Sequence, residues 1–222
     1  GIAAAAANNA IGGSGVCPAC KLMILRAGDD GGFPLDTTLE AIVYAVENGA
    51  DIINMSLGGP VWSKLLRNAL ASAGDNGVLV VAAAGNSDRD NDQLYYFPGG
   101  DPFAPEYPAS HDLPNIISVA ASNDLDRYGY LTGCDLAGGG AECSFTNWGH
   151  TSVDLAAPGV DILSTYLSGG YATLTGSSMS APFVSGVAGL VLSQNPSYTP
   201  LQVKDAILNS VDHPQDLAGG FT

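Results

Sequence analysis

The sequence predicts an α/β protein built on a doubly wound, mostly parallel sheet with helices on both faces. Strand-like runs alternate along the chain with segments of helical periodicity. The run from Val78 to Ala83 is continuously apolar, which is typical of a strand buried on both faces. Neither an internal repeat nor a long linker is visible, so we expect residues 1–222 to form one domain.

Each element has a local signal. The predicted strands are apolar runs bounded by turn residues: Lys21 to Ala27, Asp51 to Ser56, Val78 to Ala83 and Ile116 to Ala120. The predicted helices show an apolar face or a run of small residues: Thr37 to Asn48, Trp62 to Ala73, Ser178 to Ser193 and Pro200 to Asn209. The irregular stretches Ser87 to Pro108 and Tyr128 to Asn147 are predicted to be long loops.

The composition excludes several classes of function. The chain has 22 Asp+Glu against 7 Lys+Arg, for a net charge of −15. Such a charge repels the phosphates of nucleic acids and of anionic membrane surfaces. It favours solubility, and some of the carboxylates are also suited to bind Ca²⁺. The sequence contains no apolar run of the ~18–20 residues that a membrane span needs, and residues 1–10 lack the basic start of a signal peptide.

The four cysteines form two local pairs, Cys17 with Cys20 and Cys134 with Cys143. Two disulfides in an exported protein, a four-cysteine zinc site and free thiols are the alternatives. The Cys-Pro-Ala-Cys spacing also matches a redox motif. That motif begins a helix in thioredoxin-like proteins, whereas a strand-like run follows it here.

The segment Gly-Ser-Ser-Met-Ser-Ala-Pro at 176–182 is the strongest local signal for chemistry. Its glycine turn delivers Ser178 to the start of a helix made of small residues. A nucleophile at a helix N-terminus is exposed, and the helix dipole favours developing negative charge there. The alternative for this segment alone is a helix that is simply capped by serine.

Two further segments follow buried strands. Asn86 ends the run Ala-Ala-Ala-Gly-Asn after the strand at 78–83; a side-chain amide at such a strand end is able to donate to an oxyanion, although an Asn in a turn is the simpler alternative. The segment Ser-Leu-Gly-Gly at 56–59 ends the preceding strand. Its glycines permit close approach of a second backbone, such as that of a peptide substrate.

Together these three segments, in this order and at compatible spacing, resemble the subtilisin family of serine proteases over nearly the whole chain. The resemblance implies a serine endopeptidase with Ser178 as the nucleophile and with Asn86 and the Ser178 backbone N–H as the oxyanion hole. It also implies substrate-binding walls. These are formed by Ser56, Leu57 and Gly58, by Gly31, Gly32 and Phe33, and by Ala83 and Gly85, with Glu106 at the floor of the S1 pocket.

The resemblance places the family's catalytic Asp and His upstream of residue 1, so we expect a domain that is incomplete at its N-terminus and nearly inactive alone. His111, His150 and His213 lie in polar, loop-like contexts and are predicted to be surface residues. An inactive binding or scaffolding module is the alternative function. An α/β esterase is disfavoured because no Gly-x-Ser-x-Gly motif surrounds Ser178.

The resemblance also implies structural Ca²⁺ and no organic cofactor. The side chain of Asn9 and the carbonyls of Ala7, Ile11 and Gly13 match a calcium-binding loop of the family. Its remaining ligands would again lie upstream, and a plain Asn/Gly turn is the alternative. A weaker site would combine the Asp154 carboxylate with the carbonyls of Ala109 and Ile116. By the same resemblance the protein would be secreted and monomeric, act on proteins or peptides, and carry a pro-peptide.

A carboxylate at the floor of S1 has a consequence for specificity. Glu106 precedes the segment Tyr-Pro-Ala at 107–109. There it would face the end of a long P1 side chain and favour Lys or Arg through a charge-assisted hydrogen bond. The long loop before Glu106 leaves a second alternative, in which the alignment shifts by one or two residues and Glu106 points to solvent.

Overall fold

A computed structural model describes residues 1–29, 32–94, 105–131 and 143–212. Its helices are α1 (Leu35–Glu47), α2 (Lys64–Asp75), α3 (Ser177–Gln194) and α4 (Pro200–Leu208). Its strands are β1 (Ile52–Met55), β2 (Leu79–Ala83), β3 (Ile116–Ser122), β4 (Tyr130–Leu131), β5 (Cys143–Ser144), β6 (Leu155–Pro158), β7 (Ile162–Thr165) and β8 (Tyr171–Leu174).

The central sheet has four strands in the order β1-β2-β3-β6, and all of its pairings are parallel. Two antiparallel ribbons, β4-β5 and β7-β8, lie outside it. Because parallel strands need crossover connections, the carboxyl ends of β1 and β2 lie at the same edge of the sheet. The predicted α/β class with a parallel sheet is confirmed.

Alternate residues of β2 serve two separate cores. Leu79, Val81 and Ala83 pack with buried residues of α3 and α4. Val80 and Ala82 pack with residues of α1 and α2 on the opposite face. Side chains alternate between the faces of a strand, so this division shows that helices cover both sides of the sheet, as predicted.

The four predicted helices form with boundaries close to those expected. The Ser63 side chain accepts a hydrogen bond from Leu66 N and so caps α2. Thr199 and Gln202 form a reciprocal capping box at the start of α4, followed by Pro200 at its first position. None of the helices in the described part of the chain is long and apolar enough to cross a membrane.

The prediction of a strand at residues 21–27 is wrong. The segment belongs to no ladder among the described residues. The sheet instead ends at β1, which pairs only with β2 among the described strands. A groove of about 1300 Å³ opens between residues 21–25 and β1. An apolar run forms a strand only where a neighbour can take its backbone hydrogen bonds, and no described segment lies beside this one to do so.

The Cys17–Cys20 pair is a disulfide, with its Cα atoms 5.3 Å apart. It packs against α3, where a methyl group added to Gly189 would lie 2.6 Å from Cys20 Sγ. The absence of a side chain at Gly189 therefore lets the N-terminal segment approach the helix. The second predicted pair is not tested, because Cys134 lies outside the described residues and only the backbone of Cys143, in β5, is described.

Candidate active site

The ends of two neighbouring strands meet the start of a helix at one edge of the sheet. Ser56 follows β1, Asn86 follows β2, and Ser178 is the second residue of α3. Two glycines form the turns that this meeting requires: Gly85 has φ +110° and Gly176 has φ +152°. Residues with a Cβ rarely adopt such angles, so glycine is needed at both positions.

The buried residue next to Ser178 holds the Asn86 side chain. The backbone N–H of Ser177 donates to Asn86 Oδ1 at 2.8 Å, and the Ser177 hydroxyl donates to the same oxygen at 3.0 Å. A backbone N–H can only donate, so these bonds assign the amide orientation and turn Nδ2 away from Ser177. Asn86 is exposed, so its N–H₂ group is available to a ligand in the cleft.

A proline in α3 creates a second link between the helix and the sheet. Pro182 lacks the N–H that would otherwise reach the Ser178 carbonyl four residues earlier. The Ser56 hydroxyl takes its place and donates to Ser178 O at 2.8 Å. The Ser178 hydroxyl in turn donates to Ser56 O, at a long 3.4 Å. The half-buried Ser178 is thus fastened to the end of β1 through its backbone, while its hydroxyl is only weakly bonded.

The hydrogen bonds continue away from Ser178. Asn54 Nδ2 donates to Ser56 Oγ at 3.0 Å, and the Ser185 hydroxyl donates to Asn54 Oδ1 at 2.9 Å. A chain of side chains therefore joins the third turn of α3 to Ser178 through β1. Neither Asn54 nor Ser185 was predicted from the sequence, and only polar residues among apolar neighbours could have indicated them.

Two buried asparagines shape the loop that carries Asn86. Asn147 Oδ1 accepts from Ser87 N at 2.8 Å, and Asn147 Nδ2 donates to Asn91 Oδ1 at 3.1 Å. Asn91 Nδ2 donates to Ala84 O at 2.8 Å. The two amides satisfy the backbone on both sides of Asn86 and so hold it rigidly. Sequence reasoning missed this pair because its members are 56 residues apart.

The residue that follows Glu106, at the candidate S1 floor, is paired with the residue that follows one of the predicted walls. Gly59 and Tyr107 exchange two backbone hydrogen bonds of 2.9 Å. This bridge sets the Glu106 side chain between the two glycine walls. A methyl group at Gly58 would lie 2.6 Å from Glu106 Oε1, and one at Gly85 would lie 3.1 Å from Glu106 Cγ.

Glu106 is half-buried, and its surroundings shift the pKa of its carboxyl group. Burial raises the pKa of the carboxyl group above its usual 4.5, and the positive charge of Arg89 opposes part of that rise. The carboxyl group therefore lies between the predicted walls, in partly dehydrated surroundings.

The other predicted wall is only partly described, because Gly31 lies outside the described residues. Gly32 pairs with Asp29 in a short antiparallel bridge and has φ +114°. The Phe33 side chain is 56% exposed. Ala83, by contrast, is buried, and Leu57 is half-buried two residues after the end of β1.

The prediction that His111 lies on the surface is wrong. His111 is 5% exposed, and its ring lies 4.7 Å from the ring of Tyr107. Burial, together with the charge of Arg67, lowers its pKa from 6.5 to about 4. Within the described residues neither ring nitrogen has a hydrogen-bond partner. The polar residues around His111 in the sequence misled the prediction, because the loop folds back onto the core at Ala109 and Leu113.

No histidine of the described chain is hydrogen-bonded to Ser178, whose hydroxyl forms a hydrogen bond only with Ser56 among these residues. His150 is exposed, as predicted. His213 lies outside the described residues. A general base for Ser178 is therefore not found in the part of the chain that the structure describes.

The first predicted calcium loop is exposed and tightly curled. Asn8 and Ala10 both have φ +58°, and Gly12 has φ +59°. Positive φ is unfavourable for a residue such as alanine. Asn9 Oδ1 accepts a hydrogen bond from Ile11 N at 3.0 Å, and Ala7 and Gly13 flank this turn. No group of three or more His, Cys, Asp and Glu residues that could hold a metal occurs in the described ranges, and the ligands predicted for this loop are instead one amide side chain and backbone carbonyls.

At the second predicted cation site a lysine lies among the predicted ligands. Lys204 Nζ donates to Ile116 O at 2.5 Å and forms an ion pair of 2.7 Å with Asp154 Oδ1. Ala109 lines the same cavity, of about 420 Å³.

A serine hydroxyl at a helix N-terminus and a side-chain amide at a parallel strand end form an arrangement that hydrolases with a serine nucleophile use. Comparison with known proteins gives the family. Residues 1–220 match the subtilase family, and the chain belongs to it.

Two relatives and two solved structures illustrate the similarity. The chain is 38% identical over 213 residues to a thermophilic serine proteinase of Bacillus sp. (strain AK1) and 37% identical over 213 residues to thermitase of Thermoactinomyces vulgaris, covering 96% of this chain in each case. Proteases from Pseudoalteromonas arctica PAMC 21717 superpose with a TM-score of 0.77 at 28% identity over 96% of this chain. A cold adapted subtilisin-like serine proteinase gives 0.68 at 30% identity over 87% of this chain.

The chain is shorter than these proteins. It spans 45% of the Bacillus proteinase and 65% of thermitase. It also covers 62% of the Pseudoalteromonas chain and 61% of the cold adapted one.

Proposed function

We propose that the whole protein is a serine endopeptidase in which Ser178 attacks the peptide carbonyl and forms an acyl-enzyme that water then hydrolyses. The observation that carries the proposal is the junction of Ser178, Ser56 and Asn86 at the carboxyl edge of the sheet. Membership of the subtilase family and the similarity to named serine proteinases support the same activity.

The oxyanion would be held by two donors. One is the Nδ2 group of Asn86, whose amide orientation is set by the bonds from Ser177 to Oδ1. The other is the backbone N–H of Ser178, which belongs to the first turn of α3 and has no acceptor within the helix. Both donors are rigid before substrate arrives, which is the condition under which such donors stabilise a transition state.

The groove beside β1 supports the proposal that the catalytic base and its partner come from a further segment of the protein. Leu22, Met23 and Ile24 line the groove and are 56%, 41% and 82% exposed. An unpaired sheet edge next to exposed apolar side chains is unfavourable in water. We propose that a β-strand fills the groove, pairs with β1, and delivers the catalytic Asp at its carboxyl end, with the His nearby.

Other properties follow from this proposal. The substrates would be proteins or peptides that lie against residues 56–58 and 32–33. The Asn9 loop would bind a structural Ca²⁺ together with oxygen ligands from the further segment. The disulfide at Cys17 and Cys20 fits an exported protein. We also propose a pro-peptide and a monomeric mature enzyme.

A fluorophosphonate probe tests the proposal, because it reacts only with an activated serine. The full-length protein should be labelled, Ser178→Ala should not be labelled, and both should have the same melting temperature. Ser193→Ala is the matched control: Ser193 is exposed near the end of the same helix and bonds only to Leu190 O, so its loss should leave labelling intact.

Two results would overturn the proposal. Labelling that persists in Ser178→Ala would mean that the nucleophile is another residue. A folded full-length protein that is neither labelled nor active on casein would favour the inactive binding module. Residues 1–222 alone should react slowly, because a serine without a base is a poor nucleophile at neutral pH.

A further inference from the structure

A lysine side chain lies at the position where the sequence predicts a weakly bound cation. Lys204 lies on α4, and its neighbour Val203 is buried in the core. The ammonium group reaches the start of β3 and the residue before β6, where it contacts Ile116 O at 2.5 Å and Asp154 Oδ1 at 2.7 Å. Two of the three ligands predicted for the cation are thus bound by a charge that belongs to the protein itself.

The second carboxylate oxygen of Asp154 is also engaged, since Ser118 N donates to Asp154 Oδ2 at 2.8 Å. The side chains of Lys204 and Asp154 are only 16% and 22% exposed. The ion pair is therefore partly shielded from water, and its backbone contacts join α4, β3 and the start of β6. A bound cation at this point would make the same connections between β3 and β6.

A metal ion and the ammonium group cannot share these ligands. Ca²⁺ takes six to eight oxygen ligands at about 2.3–2.6 Å. An ion on Asp154 Oδ1 and Ile116 O would stand within a few ångströms of Lys204 Nζ, where two positive charges repel strongly in partly buried surroundings. The residues present therefore do not fit a metal site while Lys204 is in place.

The surrounding cavity supplies what a cation would need if the ammonium were absent. Its volume is about 420 Å³, and Ser110 and Ser152 line it. The Ser110 hydroxyl is buried without a hydrogen-bond partner among the described residues, and the Ser152 hydroxyl faces the Asp92 carboxylate. Such groups are able to hold water, so removal of the ammonium would leave a polar chamber next to a carboxylate.

We propose that the Lys204 ammonium acts as a built-in cation at this site and that the protein binds no Ca²⁺ there. A chelator such as EDTA removes a bound metal ion but cannot remove the Lys204 ammonium. The contribution of this site to the stability of the fold would therefore not depend on chelators. The inference concerns metal binding and stability, and it stands or falls independently of the proposed peptidase activity.

The decisive variant is Lys204→Met in the full-length protein, which keeps most of the side-chain volume and removes the charge. Calorimetric titration with CaCl₂, in buffer without sodium or potassium, should detect one more Ca²⁺ per chain than in the wild type. We expect weak binding, with a Kd of about 10⁻⁴–10⁻³ M. In EDTA the melting temperature of Lys204→Met should lie about 2–6 °C below that of the wild type. Excess Ca²⁺ should then raise the melting temperature of the variant by more than it raises that of the wild type.

Lys64→Met is the matched control, because Lys64 is an exposed lysine at the start of α2. It should leave both the Ca²⁺ stoichiometry and the melting temperature unchanged. Asp154→Asn provides a second measurement that does not depend on the folding of Lys204→Met. If Lys204 serves as the cation, this variant should bind as many Ca²⁺ ions as the wild type.

Either of two results would overturn the inference. Loss of one Ca²⁺ equivalent in Asp154→Asn would show that the wild type already holds a metal at this carboxylate. A well-folded Lys204→Met that gains no Ca²⁺ equivalent would show that the ammonium does not stand in for a cation.

Discussion

The substitution Glu106→Gln tests whether a carboxylate sets the specificity of the S1 pocket. Gln has nearly the same size as Glu, so the change removes charge and leaves shape. The Glu106 side chain lies between Gly58 and Gly85, with its Oε1 atom against the Gly58 backbone. A P1 side chain entering between these glycines would meet the carboxylate at its tip, and the alkyl stem of a lysine would be buried on the way.

The size of the effect follows from the half-buried position of the carboxylate. Exposed ion pairs contribute about 0–1 kcal/mol, and hydrogen bonds to charged groups contribute about 1.5–3 kcal/mol. The contribution of a half-buried pair should lie between these two ranges, at about 1.4 kcal/mol, which corresponds to about tenfold in kcat/KM. The positive charge of Arg89 already interacts with the Glu106 carboxylate. Because a P1 lysine would compete with Arg89, we expect its contribution to stay at the lower end of the range for charged hydrogen bonds.

The assay compares kcat/KM for peptides that differ only at P1, with Lys, Phe or Glu, in the wild type and in Glu106→Gln. The Lys-to-Phe ratio should fall by about tenfold in the variant, and the peptide with P1 Glu should improve. Glu40→Gln is the control, because Glu40 is exposed on α1 and should leave all three ratios unchanged.

The pH dependence gives an independent check. Because burial raises the pKa of Glu106 above 4.5, the carboxylate is charged above that raised pKa and becomes neutral as the pH falls through it. The Lys-to-Phe ratio of the wild type should therefore fall at low pH, and that of Glu106→Gln should stay flat. The titration of the catalytic groups affects kcat/KM equally for both substrates, so its effect cancels in the ratio. A ratio that neither the substitution nor pH alters would place Glu106 outside the pocket.

Three other predictions concern the oxyanion donor, a buried histidine and the calcium loop. Asn86→Leu should lower kcat by about 10²–10³ with little change in KM, a range taken from subtilisin, a member of the same family; a change in KM alone would contradict the role. Because the pKa of His111 is lowered from 6.5 to about 4, the native protein loses stability as the pH falls from 6.5 to 4. His111→Phe should remove up to about 3 kcal/mol of that loss in pH-dependent denaturation curves, and identical curves would refute it. Asn9→Ala should abolish the rise in melting temperature that Ca²⁺ produces over EDTA, whereas Asn123→Ala, in a similar exposed turn, should not.

Features that depend on residues close together in the sequence were predictable from it. The four helices form because their apolar or small residues recur at helical spacing, and β2 forms because its run is apolar throughout. The segments that end at Ser56 and Asn86 were recognisable because glycines and polar residues directly follow apolar strands. The segment at residues 21–27 shows the limit of such reasoning, because a strand also requires a partner that local sequence does not supply.

The sequence by itself determined the α/β class, the position of Ser178 at the start of a helix, and the local pairing of Cys17 with Cys20. Each of these depends on short-range periodicity or spacing. Only the tertiary structure decided how these parts are held. Ser177 bonds Asn86 from 91 residues away, and Lys204 reaches Ile116 across 88. The burial of His111 and the place of Glu106 between two glycines were decided in the same way. Such contacts depend on where the packing of the sheet and helices brings side chains together, and that is a property of the whole fold.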